Sequence, residues 1–430
     1  MSRIILVRPS VLRGEVEAPP SKPYTHRAYA AALLSDGASR IINPLESRDT
    51  NATKRACILL GAEVEEREGQ VSVKGGAFRT PDNVIDVENS GTTLRLFTAI
   101  SAHAPAGYTI LTGDDSIRRR PMEPLLSALR MLGVECWSSK LDGTAPIIVR
   151  GGGMEGGEAR IMGEISSQFI SALIYASTRS RRGARIMVEG EPVSRPYIDA
   201  SLEVLARFGF RVEREDYRLF DVEGGQRGRP CEFKVPGDFG SAAFLMAGAC
   251  LTGGSIIVRN LSLDLPQADA AIIAFLRELG CRVEISEDAV RVDGGGICGG
   301  EFDLRDSPDL LPVMACMGAK CSEEVVLKGV AHARFKESDR ITVMARELAK
   351  LGVNVEPLPD GLRIRGRSRI EGGRILNPHG DHRIFMALAM LAASTEKGCA
   401  IMDPEVAEVS YPQFLEHARS LGLNAEVMEG

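Results

Sequence analysis

The residues best suited to chemistry lie together at positions 335–340, Phe-Lys-Glu-Ser-Asp-Arg, before an apolar helical pattern that starts at Ile341. Lys336 and Arg340 are four residues apart, so one helix face would carry both cations, and like charges at this spacing repel. A bound anion would offset the repulsion, because free N–H groups at a helix N-terminus favour negative charge. Glu337 lies between the cations, whose charges can tune its pKa for acid–base catalysis. An ordinary salt-bridged helix start is the alternative.

A small or charged polar cluster precedes an apolar helix at several other places, among them a helix predicted at 28–34. Each cluster alone fits a helix cap or a solvated surface. Together they predict helix N-termini that face one cleft, with basic side chains that bind one or two highly charged small anions. The clusters occupy residues 21–27, 88–95, 118–121, 166–169, 194–199, 237–243 and 379–383, and the cations in question are Lys22, Arg27, Arg120, Lys336, Arg340 and Arg383.

Asp309 stands between apolar residues in the second half of the chain. It is either a helix N-cap or a partly buried carboxylate whose pKa burial raises into the range useful to a general base. His379 and His382 are three residues apart, but no third His or Cys ligand accompanies them, so we predict no metal site.

Composition narrows the class of protein. The chain has 430 residues, 44% hydrophobic and 26% charged, which suits two or three globular domains with large cores. A net charge of −6, one Trp and seven Tyr argue against nucleic acid or an anionic membrane as partner. Nine cysteines without a CxxC pair favour reduced thiols and a cytoplasmic location. No apolar run reaches about 18 residues, so we predict no membrane span.

A helical segment that ends in Leu-Gly or Phe-Gly before a strand recurs six times, with the glycines 70 to 76 residues apart. Each glycine suits a helix C-cap in the left-handed conformation, and a β-hairpin follows several of them. The glycines that end the six helical segments are Gly61, Gly133, Gly209, Gly280, Gly352 and Gly422. The chain is therefore predicted to be α/β, with six modules that must associate to cover their sheets.

Proline- and glycine-rich stretches near residues 19–21 and 230–237 are the best candidates for crossings between lobes. They predict a discontinuous lobe I of residues 1–20 with 234–430, and a lobe II of residues 21–233. Each lobe would hold three modules.

The ordered set of motifs resembles the 3-phosphoshikimate 1-carboxyvinyltransferase family, also called 5-enolpyruvylshikimate-3-phosphate synthase, over essentially the whole chain. The motifs that carry the resemblance are Ser21-Lys22 with His26-Arg27, Asn89-Ser90-Gly91-Thr92 with Arg95, Arg120-Pro121, Ser166-Ser167-Gln168-Phe169, Ser194-Arg195-Pro196-Tyr197, Pro308-Asp309, Lys336 through Arg340, and Asp381-His382-Arg383.

The resemblance implies a two-lobed enolpyruvyl-transferase fold of six βαβαββ-type repeats, three per lobe, with the active site in the cleft between lobes. It also implies transfer of the enolpyruvyl group of phosphoenolpyruvate to the 5-hydroxyl of shikimate 3-phosphate, in the shikimate pathway of aromatic amino acid biosynthesis. A tetrahedral intermediate forms and then loses phosphate. No cofactor is implied, and we expect a monomer, because one chain supplies both halves of the cleft.

Site residues follow from the resemblance, motif by motif. Asp309 would be the base on the 5-hydroxyl and Glu337 the acid for the methylene carbon, with Lys22 assisting. Shikimate 3-phosphate would be bound by Lys22, Pro23, Arg27, Ser166, Ser167, Gln168, Ser194, Tyr197, Asp309, His332 and Lys336. Phosphoenolpyruvate would be bound by Lys22, Asn89, Gly91, Arg120, Gln168, Arg340 and Arg383.

Two positions depart from the family pattern. Pro23 replaces the usual Ser, which removes a hydroxyl and a backbone N–H. Val409 occupies the position of a usual Lys. Two alternatives stay open: a UDP-N-acetylglucosamine enolpyruvyl transferase, whose loop normally carries a reactive Cys or Asp although residues 113–118 contain no Cys, and a non-catalytic anion-binding relative.

Overall fold

The computed structural model describes residues 3–428, which form two compact units. One unit comprises residues 3–19 and 236–428, and the other comprises Pro20–Val235. Within residues 3–428, no helix combines the length and apolar character needed to cross a membrane.

Strands within residues 3–428 form six sheets of four strands, three sheets in each unit. The strands are β1 Ile4–Val7, β2 Arg13–Glu17, β3 Gly37–Ile42, β4 Glu63–Arg67, β5 Gln70–Gly75, β6 Ile85–Asp86, β7 Tyr108–Thr112, β8 Cys136–Ser138, β9 Ile147–Arg150, β10 Gly157–Met162, β11 Ala184–Glu189, β12 Val212–Glu215, β13 Leu219–Val222, β14 Glu232–Lys234, β15 Ser255–Arg259, β16 Arg282–Ile285, β17 Ala289–Asp293, β18 Gly300–Asp303, β19 Glu324–Lys328, β20 Asn354–Leu358, β21 Gly361–Arg365, β22 Ile375–Leu376, β23 Cys399–Met402 and β24 Ala425–Met428.

All six sheets share one topology. An outer strand pairs in parallel with its neighbour, and the remaining two pairings are antiparallel. The sheets of Pro20–Val235 run in the orders β14-β3-β5-β4, β6-β7-β9-β8 and β10-β11-β13-β12. Those of the other unit run β2-β15-β17-β16, β18-β19-β21-β20 and β22-β23-β1-β24. The repeat seen in the sequence is thus a repeat of structure.

Three sheets are completed by strands distant in sequence. β14 pairs with β3, although about 190 residues separate them. β1 lies between β23 and β24, and β2 pairs with β15. The N-terminal 19 residues therefore belong with the second half of the chain.

Twelve α-helices occur within residues 3–428, and they are of two kinds. Six are buried almost throughout and six are amphipathic. The buried helices are α1 Lys22–Leu34, α3 Gly91–Ile100, α5 Ser167–Ser177, α7 Phe239–Thr252, α9 Leu311–Lys320 and α11 His382–Ala393; the amphipathic ones are α2 Arg48–Leu59, α4 Glu123–Met131, α6 Arg195–Arg207, α8 Ile272–Glu278, α10 Arg340–Lys350 and α12 Phe414–Ser420.

The buried helices are rich in apolar residues on most faces, most clearly in α7, α9 and α11. In α7, all residues from Phe239 to Leu251 are buried, and α7, α9 and α11 pack on one another in the core of their unit. In α3, α5, α7 and α11 a polar side chain at the N-terminus caps a free N–H group. Asp238 accepts from the backbone N–H of Ser241 at 2.6 Å, for example. A polar N-terminus on a rigid apolar helix is well suited to position functional groups.

The six repeat glycines confirm the predicted C-caps. Each follows a helix and has a positive φ, between 77° and 115°. In this region a side chain crowds the backbone, so glycine is favoured.

One predicted helix start and one predicted helix face are wrong. α1 begins at Lys22 rather than at residue 28. α10 begins at Arg340, because the Asp339 side chain accepts from the backbone N–H of Thr342 at 3.1 Å and caps the helix. Lys336 therefore lies outside α10 in extended backbone, and it does not share a helix face with Arg340.

We expect Gly352→Ala to lower the free energy of unfolding by about 1 kcal/mol, because φ is +77° there and a methyl group disfavours that region. Gly296→Ala is the matched control: its φ is not positive and no atom lies within 4 Å of an added methyl group. Thermal melts of both variants provide the test. Equal melting temperatures in the two variants would contradict the cap.

Candidate active site

The predicted site residues form two clusters, one in each unit. The Lys22 cluster comprises the predicted site residues within Pro20–Val235. They lie at the N-terminal ends of α1, α2, α3, α5 and α6. The Arg340 cluster comprises the predicted site residues of the other unit. They lie at or just before the starts of α9, α10 and α11.

Lys22 is held by a carboxylate that sequence analysis missed. Its Nζ lies 2.9 Å from Oδ2 of Asp49, and side-chain exposure is 13% and 5%. A pair this buried is sensitive to loss of either partner. Pro23 follows in the first turn of α1. A backbone N–H there has no partner inside the helix, so proline removes a hydroxyl from this site without breaking a helical hydrogen bond.

Gly91 begins α3 with bare backbone between two guanidinium groups. A methyl group on Gly91 would lie 2.6 Å from Nη1 of Arg120 and 3.0 Å from Nη1 of Arg95. Arg120 is buried and donates to Asn89 Oδ1 at 3.2 Å. Two cations and a helix N-terminus at one position favour an anion. Of the three consecutive arginines, Arg118 and Arg119 are exposed, as expected for a wet surface.

Gln168 connects α5 to this anion-favouring position. Its Oε1 accepts from Nη1 of Arg95 at 2.5 Å, and its Nε2 donates to Oγ1 of Thr92 at 3.2 Å. Ser166 caps α5 by accepting from the backbone N–H of Gln168 at 3.3 Å. Ser167 is buried beside it. The amide orientation of Gln168 is thereby fixed from both ends.

Arg27 is buried and joins α1 to α6. Its Nε donates to Ser201 Oγ at 2.9 Å and its Nη2 donates to the Tyr197 carbonyl at 2.9 Å. The guanidinium carbon lies 5.8 Å from the centre of the Tyr197 ring. Burial lowers the pKa of Arg27. Ser194, just before α6, has a left-handed φ of 56°, a strained conformation of the kind found at ligand sites.

A chain of buried hydrogen bonds links α1, α2 and α3 near the Lys22 cluster. Nδ1 of His26 lies 2.6 Å from Thr53 Oγ1, which lies 2.6 Å from Thr93 Oγ1. Thr93 in turn lies 2.6 Å from Ser90 Oγ. Burial, with Lys22 and Arg27 nearby, holds the pKa of His26 well below its usual value, so the imidazole is neutral.

Arg340 is the centre of the second cluster and is 1% exposed. Its Nε donates to Asp381 Oδ2 at 2.8 Å, its Nη1 to Asp309 Oδ1 at 2.6 Å, and its Nη2 to Glu337 Oε2 at 2.7 Å. Burial opposes the charge, but Asp381, Glu337 and Asp309 outweigh it and raise the pKa of Arg340. One guanidinium therefore fixes three carboxylates.

Asp309 differs from the prediction of a pKa raised by burial. Burial does act to raise it, but Arg383, Lys336 and Arg340 together hold the pKa of Asp309 well below its usual value. The Arg383 Nη2 atom lies 3.0 Å from Oδ2 of Asp309, and the Lys336 Nζ atom lies 3.6 Å from Oδ1. Asp309 is therefore ionised at neutral pH.

His332 lies in a short helical turn before Lys336 and is buried. Burial and the Lys336 charge lower the pKa of His332 to about 3. A neutral imidazole can donate one hydrogen bond and accept another. Glu337 is only 11% exposed at its side chain, so it is shielded from water while bonded to Arg340.

Arg383 follows Asp381 at the start of α11. Asp381 is fully buried and caps the helix, accepting from the backbone N–H of Arg383 at 2.9 Å. The Arg383 Nη1 atom lies 4.0 Å from Asp269, a second carboxylate that sequence analysis did not single out. Val409 is buried near the end of a helical turn, so this position offers apolar surface where the family usually has a cation.

Sequence analysis missed Asp49, Asp269 and the pairing role of Asp381. Asp49 and Asp381 did carry a signal, because an acid in or just before the first helical turn is a recognisable cap position. The partner of each acid is far away in sequence, so no spacing indicated the pair.

Comparison with known proteins identifies one family over most of the chain. The family model described as EPSP synthase (3-phosphoshikimate 1-carboxyvinyltransferase) matches residues 7–418. A 3-phosphoshikimate 1-carboxyvinyltransferase of Korarchaeum cryptofilum is 47% identical over 423 residues, 98% of this chain and 99% of that protein. A protein of the same name from Methanocaldococcus jannaschii is 42% identical, covering 99% of this chain and 100% of that protein.

Solved structures share the fold. An EPSP synthase from Acinetobacter baumannii superposes with a TM-score of 0.83 at 26% identity, covering 99% of this chain and 100% of that chain. The enolpyruvyl transferase NikO from Streptomyces tendae has a TM-score of 0.80 at 16% identity, covering 100% and 99%, and shows the fold alone. With the family model matched over residues 7–418 and full-length relatives at 42% and 47% identity, the chain belongs to the EPSP synthase (3-phosphoshikimate 1-carboxyvinyltransferase) family.

Proposed function

We propose that the protein transfers the enolpyruvyl group of phosphoenolpyruvate to the 5-hydroxyl of shikimate 3-phosphate and releases phosphate. The observation that carries the proposal is the Arg340 cluster, in which Asp309 and Glu337 bond to one buried guanidinium at 2.6 and 2.7 Å. The reaction needs one group to take a proton from an alcohol and another to give a proton to an alkene carbon. Two carboxylates held by a shared cation meet that need.

Asp309 is the proposed base. It starts ionised, as a base must, but the three cations around it also weaken its affinity for a proton. Phosphoenolpyruvate at Arg383 and shikimate 3-phosphate at Lys336 are both anionic and compensate those charges. Substrate binding therefore raises the proton affinity of Asp309 at the moment when a proton must leave the 5-hydroxyl.

Glu337 is the proposed acid for the methylene carbon of phosphoenolpyruvate. The anionic groups of the substrates add negative charge near the Arg340 cluster, and negative charge favours the protonated form of a carboxyl group. Low exposure of Glu337 strengthens this effect, because water screens less inside the protein. Lys22, paired with Asp49, assists proton transfer.

The remaining residues bind the substrates. Exposed backbone at Gly91 and the guanidinium of Arg120 suit the phosphate or carboxylate of phosphoenolpyruvate. Concentrated positive charge stabilises the multiply charged intermediate. We propose Lys22, Asn89, Gly91, Arg120, Gln168, Arg340 and Arg383 for phosphoenolpyruvate, and Lys22, Pro23, Arg27, Ser166, Ser167, Gln168, Ser194, Tyr197, Asp309, His332 and Lys336 for shikimate 3-phosphate.

The proposal includes a cytoplasmic monomer. Each cluster is built from side chains of one chain. Seven of the nine cysteines are buried free thiols, in keeping with a reducing compartment.

A phosphate-release assay tests the proposed reaction. Purified protein receives phosphoenolpyruvate with shikimate 3-phosphate, with UDP-N-acetylglucosamine, or alone. We expect release only with shikimate 3-phosphate. Release only with UDP-N-acetylglucosamine would favour the related transferase, and no release from folded protein would favour a non-catalytic binding protein.

We expect Glu337→Gln to lower kcat about 10²- to 10⁴-fold, because the amide keeps the shape of the side chain but cannot donate an acidic proton. Isothermal titration should find both substrates bound with little change. Glu371→Gln, which removes a charge from an exposed pair with Lys397, is the control and should leave kcat unchanged. Wild-type turnover in Glu337→Gln would remove this residue from the acid role.

The low pKa of His332 makes stability depend on pH. Below about pH 6.5 the unfolded chain binds a proton at this residue, whereas the folded protein does not until about pH 3. Stability contributed by neutral His332 is therefore complete above pH 6.5 and falls as pH decreases, by about 2 kcal/mol at pH 5. The loss of melting temperature between pH 7 and pH 5 should be smaller in His332→Gln than in the wild type. Equal losses would show that His332 protonates freely.

A further inference from the structure

Glu347 is a fully buried carboxylate for which the proposed reaction has no use. It lies on α10, seven residues after Arg340, and its exposure is 0%. Seven residues make two helical turns, so Glu347 and Arg340 lie on the same face of α10. Glu and Asp are almost never fully buried unless they are paired.

The contacts of Glu347 fix the segment that precedes α11. Its Oε2 accepts from the backbone N–H of Asn377 at 2.8 Å and from Lys350 Nζ at 2.6 Å. Its Oε1 lies 3.4 Å from Nε2 of His379. Asn377, His379 and Gly380 belong to residues 377–380, which we name the α11 connection because they link β22 to the cap of α11.

The α11 connection has a backbone that needs support. His379 has a φ of 51°, in the left-handed region that side chains disfavour, and Gly380 has a φ of 75°. Oδ1 of Asn377 accepts from the backbone N–H of His379 at 2.7 Å. Glu347 and Asn377 therefore hold a strained turn in one conformation.

This turn leads directly into residues proposed to act on phosphoenolpyruvate. Asp381 and Arg383 follow it, and Asp381 pairs with Arg340 at 2.8 Å. Helix α10 thus contacts the region that leads into α11 through two hydrogen bonds. Arg340 donates to Asp381, and Glu347 accepts from the backbone N–H of Asn377. The second hydrogen bond determines where the chain enters α11.

We propose that Glu347 is a positioning residue for phosphoenolpyruvate: by holding the α11 connection, it fixes the placement of Arg383. The inference rests on the proposed function, in which Arg383 binds phosphoenolpyruvate. Arg340 lies in the first turn of α10 and Glu337 lies just before that helix, so we expect the loss of Glu347 to affect them less. Most of the residues proposed for shikimate 3-phosphate belong to the Lys22 cluster, in a different unit. Asp309 pairs with Arg383 at 3.0 Å, so we expect a smaller effect on shikimate 3-phosphate than on phosphoenolpyruvate, and not its absence.

Glu347→Met and Glu347→Gln form a matched pair of nearly equal length. Gln keeps an acceptor for the Asn377 N–H, and Met does not. We expect the KM for phosphoenolpyruvate to rise about tenfold in Glu347→Met and less than about threefold in Glu347→Gln, the scale of one hydrogen bond. The KM for shikimate 3-phosphate should rise clearly less than the KM for phosphoenolpyruvate in both, because Asp309 is its one proposed residue that contacts Arg383.

Asn377→Ala removes the side chain that accepts from the backbone N–H of His379, at a partly exposed position of the same connection. It provides the test if Glu347→Met fails to fold. We expect it to raise the KM for phosphoenolpyruvate by at least about threefold, and by more than the KM for shikimate 3-phosphate. Hydrogen exchange of residues 377–383 adds a readout that needs no turnover: exchange should be faster in Glu347→Met and Asn377→Ala than in Glu347→Gln.

Wild-type KM values and wild-type exchange in Glu347→Met and Asn377→Ala, whatever their melting temperatures, would overturn the inference and leave Glu347 a structural residue. An equal rise in both KM values would also overturn it. Failure of the proposed function gives a different result, because the wild type itself would then release no phosphate. The hydrogen exchange of residues 377–383 would still show whether Glu347 holds the α11 connection.

Discussion

The pairing of Arg340 with three carboxylates is the interaction on which the Arg340 cluster depends. A guanidinium at 1% exposure is stable only if its charge is compensated, and Asp309, Glu337 and Asp381 compensate it from three separate segments. The planar fork of donors sets the direction of each bond. The same contacts that make the buried charge tolerable also bring the proposed base and the proposed acid to one point.

The folding core and the proposed chemistry share the same helices. In α3, α5, α7 and α11 the body of the helix is apolar and buried, while the capping residue and first turn carry polar groups. Packing of the bodies fixes the N-termini, so the positions of Gly91, Gln168 and Arg383 depend on core residues that touch no substrate. Glu347 adds a further brace from an amphipathic helix.

Much of this was predictable from local sequence. The six glycines, the apolar helices and the ordered motifs are local features, and the structure confirms the glycine caps and the α/β repeats. The pKa of Asp309 was predicted wrongly because it depends on Arg383, Lys336 and Arg340, which two segments distant from Asp309 in sequence supply. Lys22 and Asp49 are likewise 27 residues apart. That both clusters line one cleft stays a prediction.

Arg340→Lys tests the central claim most directly. Lysine keeps the positive charge, but its three N–H donors share one nitrogen, so it cannot reproduce the separate bonds that Nε, Nη1 and Nη2 make to Asp381, Asp309 and Glu337. Phosphate release with both substrates should fall at least about 100-fold in folded protein, while Arg207→Lys, in an exposed pair with Glu203, should match the wild type. Wild-type turnover in a folded Arg340→Lys protein would contradict the account.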